Sequence, residues 1–280
     1  MAKYNRILVA VDGSETSLHA LQESFKLTGS WVTVVTVAPF YEGDLRLVGA
    51  PQPQALMTEP CNTALETAQE LADAAGALIQ TACMAGEPYE RIVDLAESGN
   101  RDLIVMGAKG HSFIERALLG KVTRRVIGYT QRDVLVVPPQ AEVGWQKILL
   151  ATDASPASEA AVARALDLAR DYGGELQVAA VMEFAPPIFA EPPEAAAWRD
   201  LLQNYVDAIA ARAQTREVPA TALVLEDTPY KAIVDLAQRE KSNLIVMGSH
   251  GRTGLKRLLM GSVTERVIGH APCPVLVVKG

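Results

Sequence analysis

The sequence is short of several features that mark large classes of proteins. Its 280 residues hold three scattered cysteines, Cys61, Cys83 and Cys273, with no C-x-x-C spacing. This argues against a disulfide framework or a zinc site, so we expect buried or idle thiols. No apolar run is long enough to span a bilayer, and the first apolar run is too short for a secretory signal. We therefore expect a cytoplasmic protein.

Positive charge is also scarce. The chain has 26 Lys and Arg against 33 Asp and Glu, which gives a net charge of −7. Nucleic acids and anionic membranes bind concentrated Lys and Arg, so neither is expected as a partner.

Familiar nucleotide motifs are missing as well. Gly120 and Lys121 are followed by Val122, so the sequence G-x-x-x-x-G-K-[ST] is absent, and no G-x-G-x-x-G follows the first apolar run. This argues against a P-loop NTPase and a dinucleotide dehydrogenase. A HIGH-like or S-G-G-x-D-S-like motif is also absent, which argues against an enzyme that activates its substrate with ATP.

An internal repeat organises the chain. RILVAVD ends at Asp12 and KILLATD at Asp153, an offset of 141 residues (153 minus 12). The two copies of LIVMG end at Gly107 and Gly248, again 141 apart (248 minus 107). Because the register never slips between these points, duplication of one domain explains the chain.

The repeat sets the domain boundaries. About half of the positions in 88–137 are identical to those in 229–278. We therefore predict two domains, 1–140 and 145–280, joined near 140–144. With 49% apolar residues, the chain is long enough for two ordinary cores.

Strand and helix signals alternate in each copy, which predicts an α/β fold with a parallel sheet covered by helices on both faces. Right-handed crossovers favour the order 3-2-1-4-5 for a five-stranded sheet in each of two tandem Rossmann-like domains. The predicted strands are 6–11, 31–37, 78–82, 103–106, 134–137, 147–151, 175–181, 221–225, 244–247 and 275–278. The predicted helices of the first copy are 14–27, 58–75, 89–97 and 122–127.

A glycine-rich loop follows the second LIVM run. Gly248 and Gly251 allow a sharp turn and leave the main chain open to a ligand. Gly261 then precedes Ser262 and Glu265, whose S-x-x-E spacing predicts a capping box at a helix start. The first N–H groups of that helix would suit a phosphate. Alternatively, the loop binds no ligand and the capping box only stabilises the start of the helix.

The winding of the sheet indicates where a ligand would bind. Ligands of open α/β sheets lie outside the carboxyl ends of the strands where the winding direction reverses, here between the first and fourth strands of each copy. Asp12 and Gly107 follow these strands in the first copy, and Asp153 and Gly248 in the second. Each carboxylate could contact a ligand or cap the following helix.

The pattern GSHGRTGLKRLLMGS resembles the ATP-binding signature of the universal stress protein family, and both halves resemble its domains. The resemblance implies a stress-response regulator that binds ATP, or AMP or ADP, with Mg²⁺ accompanying ATP. In the second copy it implies a ligand site formed by Thr152, Asp153, Val181, Met247, Gly248, Gly251, Gly261, Ser262 and Val263. The corresponding, weaker site of the first copy comprises Asp12, Val37, Met106, Gly107, Gly110, Gly120, Lys121 and Val122.

The first copy departs from this pattern at the helix start. Lys121 replaces Ser262, and Arg124 replaces Glu265, so the capping box is lost. Two cations at the positive end of a helix are unfavourable without an anion. Either they hold a phosphate more strongly, or the helix start has drifted and the site is empty; we expect an altered or weak site.

Other features near the glycine loops leave alternatives open. His111 and His250 could touch phosphate but have no evident triad partner in the sequence, so surface histidines are the default. Arg252 and Lys256 could reach phosphates or form a solvated basic face.

Two proline-rich loops, 40–60 and 183–194, follow the second strand of each copy. They could act as different lids over the two sites, or they could be ordinary surface loops.

The fifth strands bear on assembly. Val134 to Val137 and Val275 to Val278 would leave bare apolar sheet edges if each domain stood alone. Pairing the two copies through these strands would hide the edges, and the family resemblance implies the same arrangement. We therefore predict an internal pseudo-dimer, which could associate further into a homodimer.

The expected function is a cytoplasmic regulator that holds an adenine nucleotide mainly in the second domain and signals to an unknown protein partner. Hydrolysis would need a positioned water and a charge clamp, so at most a slow ATPase is expected. The rivals are an interaction protein of the same family that binds no nucleotide and an ATP-dependent substrate-activating enzyme.

Overall fold

The computed structural model describes residues 4–27, 31–38, 53–109, 119–183, 193–251 and 260–280, apart from the side chains of 53–58 and 193–195. The chain divides into two compact units, which comprise Tyr4–Gln140 and Ala141–Gly280.

The first unit alternates strands and helices. Its elements are β1 (Arg6–Ala10), α1 (Glu15–Ser24), β2 (Trp31–Ala38), α2 (Pro53–Ala75), β3 (Ile79–Ala85), α3 (Pro88–Ser98), β4 (Leu103–Gly107), α4 (Lys121–Tyr129) and β5 (Asp133–Val137). All strand pairs are parallel, in the order β3-β2-β1-β4-β5. This confirms the predicted order 3-2-1-4-5.

The second unit repeats the scheme. Its elements are β6 (Lys147–Thr152), a 3-10 helix (Pro156–Ser158), α5 (Glu159–Tyr172), β7 (Glu175–Met182), α6 (Pro193–Gln214), β8 (Ala220–Glu226), α7 (Pro229–Glu240), β9 (Leu244–Gly248), α8 (Ser262–His270) and β10 (Val275–Val278). Its strands are parallel in the order β8-β7-β6-β9-β10. Ile7 pairs with Leu103 and Ile148 with Leu244, so the offset of 141 holds for the first and fourth strands. Ile7 also pairs with Val32, but Ile148 pairs with Leu176, an offset of 144 (176 minus 32). The prediction that the register never slips between Asp12 and Gly107 is therefore wrong at the second strand.

The central strands form the core of each unit. Leu8 and Val9 point to opposite faces of the first sheet, and both are fully buried. Leu149 and Leu150 show the same in the second sheet. Helices therefore cover both faces, which explains why these strands read as unbroken apolar runs.

Two helices begin earlier than the sequence indicated. α2 begins at Pro53 and continues through Pro60, so the predicted loop 40–60 is wrong in its last eight residues. α6 likewise begins at Pro193. Pro53 and Pro193 stand in the first turn, where the missing N–H of a proline has no partner to lose. Pro60 lies inside α2, so the helix continues there without one of its hydrogen bonds. The rest of both predicted lids lies outside the described residues.

Each unit ties the start of its last helix to the end of its fourth strand. The buried Thr123 Oγ1 donates to Gly107 O at 3.1 Å, and Thr264 Oγ1 donates to Gly248 O at 3.0 Å. Backbone bonds of 2.9 Å reinforce these links, from Gly120 N to Ala108 O and from Gly261 N to Ser249 O. These bonds fix where each helix N-terminus lies.

The cysteines differ from the expectation of idle thiols. Cys61 of α2 and Cys83 of β3 form a disulfide, with their Cα atoms 6.1 Å apart. Their spacing carries no recognisable signature, and only the packing of α2 on β3 brings them together. Such a bond forms in an oxidising compartment, whereas a reducing cytoplasm would keep the pair as thiols.

Cys273 is a free thiol whose burial raises its pKa to about 12, so it is inert near neutral pH.

Reduction of the disulfide should destabilise the first unit. The bridge closes a loop across 22 positions, and a loop of this size constrains the unfolded chain enough to contribute about 3 kcal/mol. We expect dithiothreitol to lower the free energy of unfolding by this amount, measured by urea titration with hydrogen exchange of β3 peptides. A Cys61→Ala, Cys83→Ala variant should not respond to the reductant. Identical curves for the reduced and oxidised wild-type protein would contradict the prediction.

Removing the threonine link should loosen the helix start. Thr264→Val keeps the shape but leaves the Gly248 carbonyl without this donor, which should cost about 1–2 kcal/mol. Urea titration measures the loss, and faster hydrogen exchange in α8 locates it. Thr123→Val is the matched change in the first unit and should affect α4 instead. Unchanged stability and exchange in both variants would show that the link does not hold the helices.

Candidate functional site

A cavity of about 490 Å³ lies at the carboxyl ends of the strands of the second unit, beside the start of α8. β6 has β7 on one side and β9 on the other, so this is the point where the winding reverses. The structure brings together all nine residues predicted for this site, which are Thr152, Asp153, Val181, Met247, Gly248, Gly251, Gly261, Ser262 and Val263.

Sequence reasoning missed several residues of the wall. Pro229 and Ile233 of α7 line the cavity, and Pro88 and Ile92 of α3 line its counterpart in the first unit. The sequence could have indicated these four residues, because they belong to the repeated motif PY..IVDLA. Trp198 of α6 carried no such signal. The other missed lining residues are Ala151, Ser158, Met182, Glu183 and Thr264. His250, for which a phosphate contact or a surface position was left open, also lines the cavity.

The helix start differs from the predicted capping box. Gly261 is the N-cap of α8, with an extended backbone (φ −65°, ψ 142°) and no side-chain capping bond. Ser262 is already the first helical residue, so it stands one position too late to cap, and the prediction is wrong. Glu265 N donates the first bond of the helix, to Gly261 O at 3.0 Å. The amides of residues 262–264 precede that bond and give the cavity wall the positive end of a helix.

Two glycines of the loop meet different surroundings. A Cβ on Gly251 would lie 2.8 Å from Asp153 Oδ2, so a side chain there would displace this carboxylate. A Cβ on Gly261 would lie 3.4 Å from its nearest neighbour, Ser249 O, which is ordinary contact. The fold therefore tolerates a methyl group at Gly261, and the open backbone there leaves room for a ligand.

Asp153 has a structural role besides its place in the cavity wall. Its Oδ1 accepts from Ser155 N at 3.1 Å and from Ser155 Oγ at 2.7 Å, which shapes the turn after β6. Asp12 makes the same two bonds to Ser14, and it is Ser14 that caps α1. The aspartates therefore organise the turn instead of capping a helix directly.

Thr152 is engaged in the same turn. Its Oγ1 lies 2.9 Å from Ser158 Oγ and accepts from Ala154 N at 3.2 Å. The hydroxyl of Thr152 therefore supports the end of β6 while the residue lines the cavity.

The first unit has a related cavity of about 390 Å³. Its wall contains seven of the eight predicted residues, which are Asp12, Val37, Met106, Gly107, Gly120, Lys121 and Val122. Gly110 lies outside the described residues, as do His111, Arg252 and Lys256. α4 begins at Lys121, with Gly120 as its N-cap, in the same register as α8. The proposed drift of this helix start is therefore wrong.

The charges of the two cavities differ. Lys109 and Lys121 line the first cavity, where the second has His250 and Ser262. Glu87 also lines the first cavity and is paired with Arg125 Nη1 at 2.9 Å. The lining of the first cavity therefore includes two lysines, whereas the second has a histidine and a serine at the same positions.

Within the described ranges, no group of three or more His, Cys, Asp and Glu side chains could hold a metal ion. No helix in this part of the chain is both long and apolar enough to cross a bilayer.

Comparison with known proteins identifies the family. The sequence model described as "Universal stress protein family" matches residues 3–138 and 144–279. The chain is 37% identical over 142 residues to a universal stress protein of Methanocaldococcus jannaschii, covering 48% of this chain and 82% of that protein. It is 29% identical over 232 residues to one of Mycolicibacterium smegmatis, covering 79% and 77%.

A solved structure shows the same fold along the whole chain. The universal stress protein of Archaeoglobus fulgidus DSM 4304 superposes with a TM-score of 0.75 at 23% identity, covering 99% of this chain and 97% of that one. The two family matches and this superposition agree with the repeat in the sequence. The chain therefore belongs to the universal stress protein family and carries two of its domains in tandem.

Proposed function

We propose that this protein is a cytoplasmic stress-response regulator that binds an adenine nucleotide, with ATP and its Mg²⁺ held chiefly in the second unit. A protein partner would read the bound state. The observation that carries the proposal is the uncapped N-terminus of α8 in the wall of a cavity at the switch point.

The two ends of the cavity suit the two ends of a nucleotide. The amides of residues 262–264 and the positive end of α8 favour phosphate. Val181 and Met247 supply apolar surface at the strand ends for a base and ribose. The volume falls within the roughly 300–1,000 Å³ of small-molecule sites. AMP and ADP share these features, and Mg²⁺ would neutralise the charge of the longer phosphate chain.

The first unit would form the weaker of two sites. Its helix start has the same register, but Lys121 stands where the second unit has Ser262. Lysine is a strongly hydrated charge on a flexible stem, so at this position it would replace the hydroxyl of Ser262 with an attraction that water weakens. Binding there would depend more strongly on salt, because it relies on exposed charge.

Regulation accounts for the site better than catalysis. Phosphoryl transfer to water needs a positioned nucleophile and a clamp on the developing charge. Asp153 is the one carboxylate among the residues predicted for the second site, and its Oδ1 already accepts two bonds from Ser155. Any hydrolysis would therefore be slow, and the bound nucleotide itself would be the signal.

A methyl group at the helix start tests this proposal. Gly261→Ala fits the fold, since the added Cβ meets nothing closer than 3.4 Å, but it occupies space that a phosphate oxygen would need. We expect the dissociation constant for Mg-ATP to rise at least about tenfold, which corresponds to ~1.4 kcal/mol, with no change in unfolding. Isothermal titration calorimetry measures the binding.

Gly120→Ala is the matched control. A Cβ there also meets its nearest neighbour at 3.4 Å, so the variant should fold normally and leave binding in the second unit intact. If Gly261→Ala binds as tightly as the wild-type protein, the phosphates do not lie at α8. If the wild-type protein binds no nucleotide, the interaction-protein alternative takes its place.

A further inference from the structure

The second cavity has an aromatic wall that the family motif does not include. Trp198 of α6 lines it together with Val181, Met182 and Glu183 from the end of β7. It is the only Phe, Tyr or Trp among the described lining residues, and the described lining of the first cavity has none.

The position of Trp198 follows from the buried face of α6. Leu202, Val206, Ile209 and Ala213 recur at helical spacing, and all are buried. Trp198 lies one turn before Leu202 on the same face. There the helix passes the end of β7, so the face that covers the sheet opens onto the cavity, and Trp198 is 37% exposed whereas Leu202 is 1% exposed.

The same turn of α6 is anchored to the sheet. Arg199, the next residue, forms an ion pair with Glu226 at the end of β8. Leu202 packs in the core, and the partly exposed ion pair adds a second contact between α6 and the sheet. α6 therefore presents the indole at the cavity.

We propose that Trp198 stacks on the base of the ligand and makes the second site selective for nucleotides over other phosphate compounds. This inference rests on the proposed function. With phosphates at the N-terminus of α8, the rest of the ligand extends past Met247 towards Val181 and Met182, the side chains that share the wall with Trp198. An aromatic face beside aliphatic surface suits a flat base, and such stacking contributes about 1–3 kcal/mol per base.

The repeat shows why this selectivity belongs to one unit. The residue 141 positions before Trp198 (198 minus 141) is Met57. The aromatic residue therefore has no aromatic counterpart at that position of the repeat. The first site therefore depends on its lysines for affinity and discriminates less between a nucleotide and inorganic phosphates.

Titration of the full chain with two ligands tests the inference. We expect Trp198→Leu to weaken Mg-ATP binding about 5- to 150-fold, the equivalent of the stacking contribution, and to leave binding of inorganic tripolyphosphate unchanged. Trp198→Phe should recover most of the ATP affinity because it keeps an aromatic face. Trp31→Leu, which changes the exposed tryptophan at the start of β2, is the matched control and should bind ATP normally.

Fluorescence gives an independent signature. ATP should quench tryptophan emission in the wild-type protein and in Trp31→Leu but not in Trp198→Leu. Trp145 is buried and stacked on Tyr172, with ring centroids 4.3 Å apart, so it should report little. If tripolyphosphate binds too weakly to measure, the quenching and the recovery by Trp198→Phe decide the matter.

The outcomes separate this inference from the proposed function. Unchanged ATP binding and quenching in Trp198→Leu would overturn the stacking role while leaving the nucleotide site intact. Equal loss of ATP and tripolyphosphate, without recovery by Trp198→Phe, would show that Trp198 only supports the fold. Absence of ATP binding in the wild-type protein would overturn the proposed function and the inference together.

Discussion

The site depends on one constraint, the link between the start of the last helix and the end of the fourth strand in each unit. A helix N-terminus attracts an anion only where its first amides stay accessible and its position is fixed. Thr264 fixes α8 by its bond to the Gly248 carbonyl, while Gly261 ends the loop without a side-chain cap. The threonine bond thus fixes the position of the helix, and the glycine, which has no side chain, leaves the first amides of the helix accessible.

The same scaffold carries different chemistry in its two copies. The pairing of the first strand with the fourth, the start of the last helix and the threonine link repeat with the 141-residue offset, and the side chains around them differ. Lys121 lines the first cavity at the position that Ser262 occupies in the second. Leu202, a core residue of α6, corresponds to Cys61 of the disulfide (202 minus 61 is 141). Duplication has therefore kept the backbone geometry around the cavity, while the side chains of the cavity wall and the covalent cross-links of the two copies diverged.

The sequence sufficed for the fold and for much of the cavity wall because both depend on local runs repeated in register. The run LIVM predicts a strand buried on both faces, and the glycines come directly after it.

Trp198 was missed because it comes from a helix whose position along the sheet only the fold determines. The disulfide was missed for the same reason, since 22 positions separate its cysteines. The capping box failed by a single residue, because S-x-x-E spacing alone does not say which residue ends the loop. Whether the two units pair as an internal pseudo-dimer stays a prediction.

The central claim is that the second unit holds an adenine nucleotide and that the first holds it weakly. Native mass spectrometry of the gently purified chain, followed by identification of the released ligand, tests this most directly. We expect one ATP, or ADP or AMP derived from it, per chain, and its loss from the Gly261→Ala protein. Two nucleotides per chain would contradict the assignment of a weak first site. A chain free of nucleotide that also fails to take up added Mg-ATP would contradict the central claim itself.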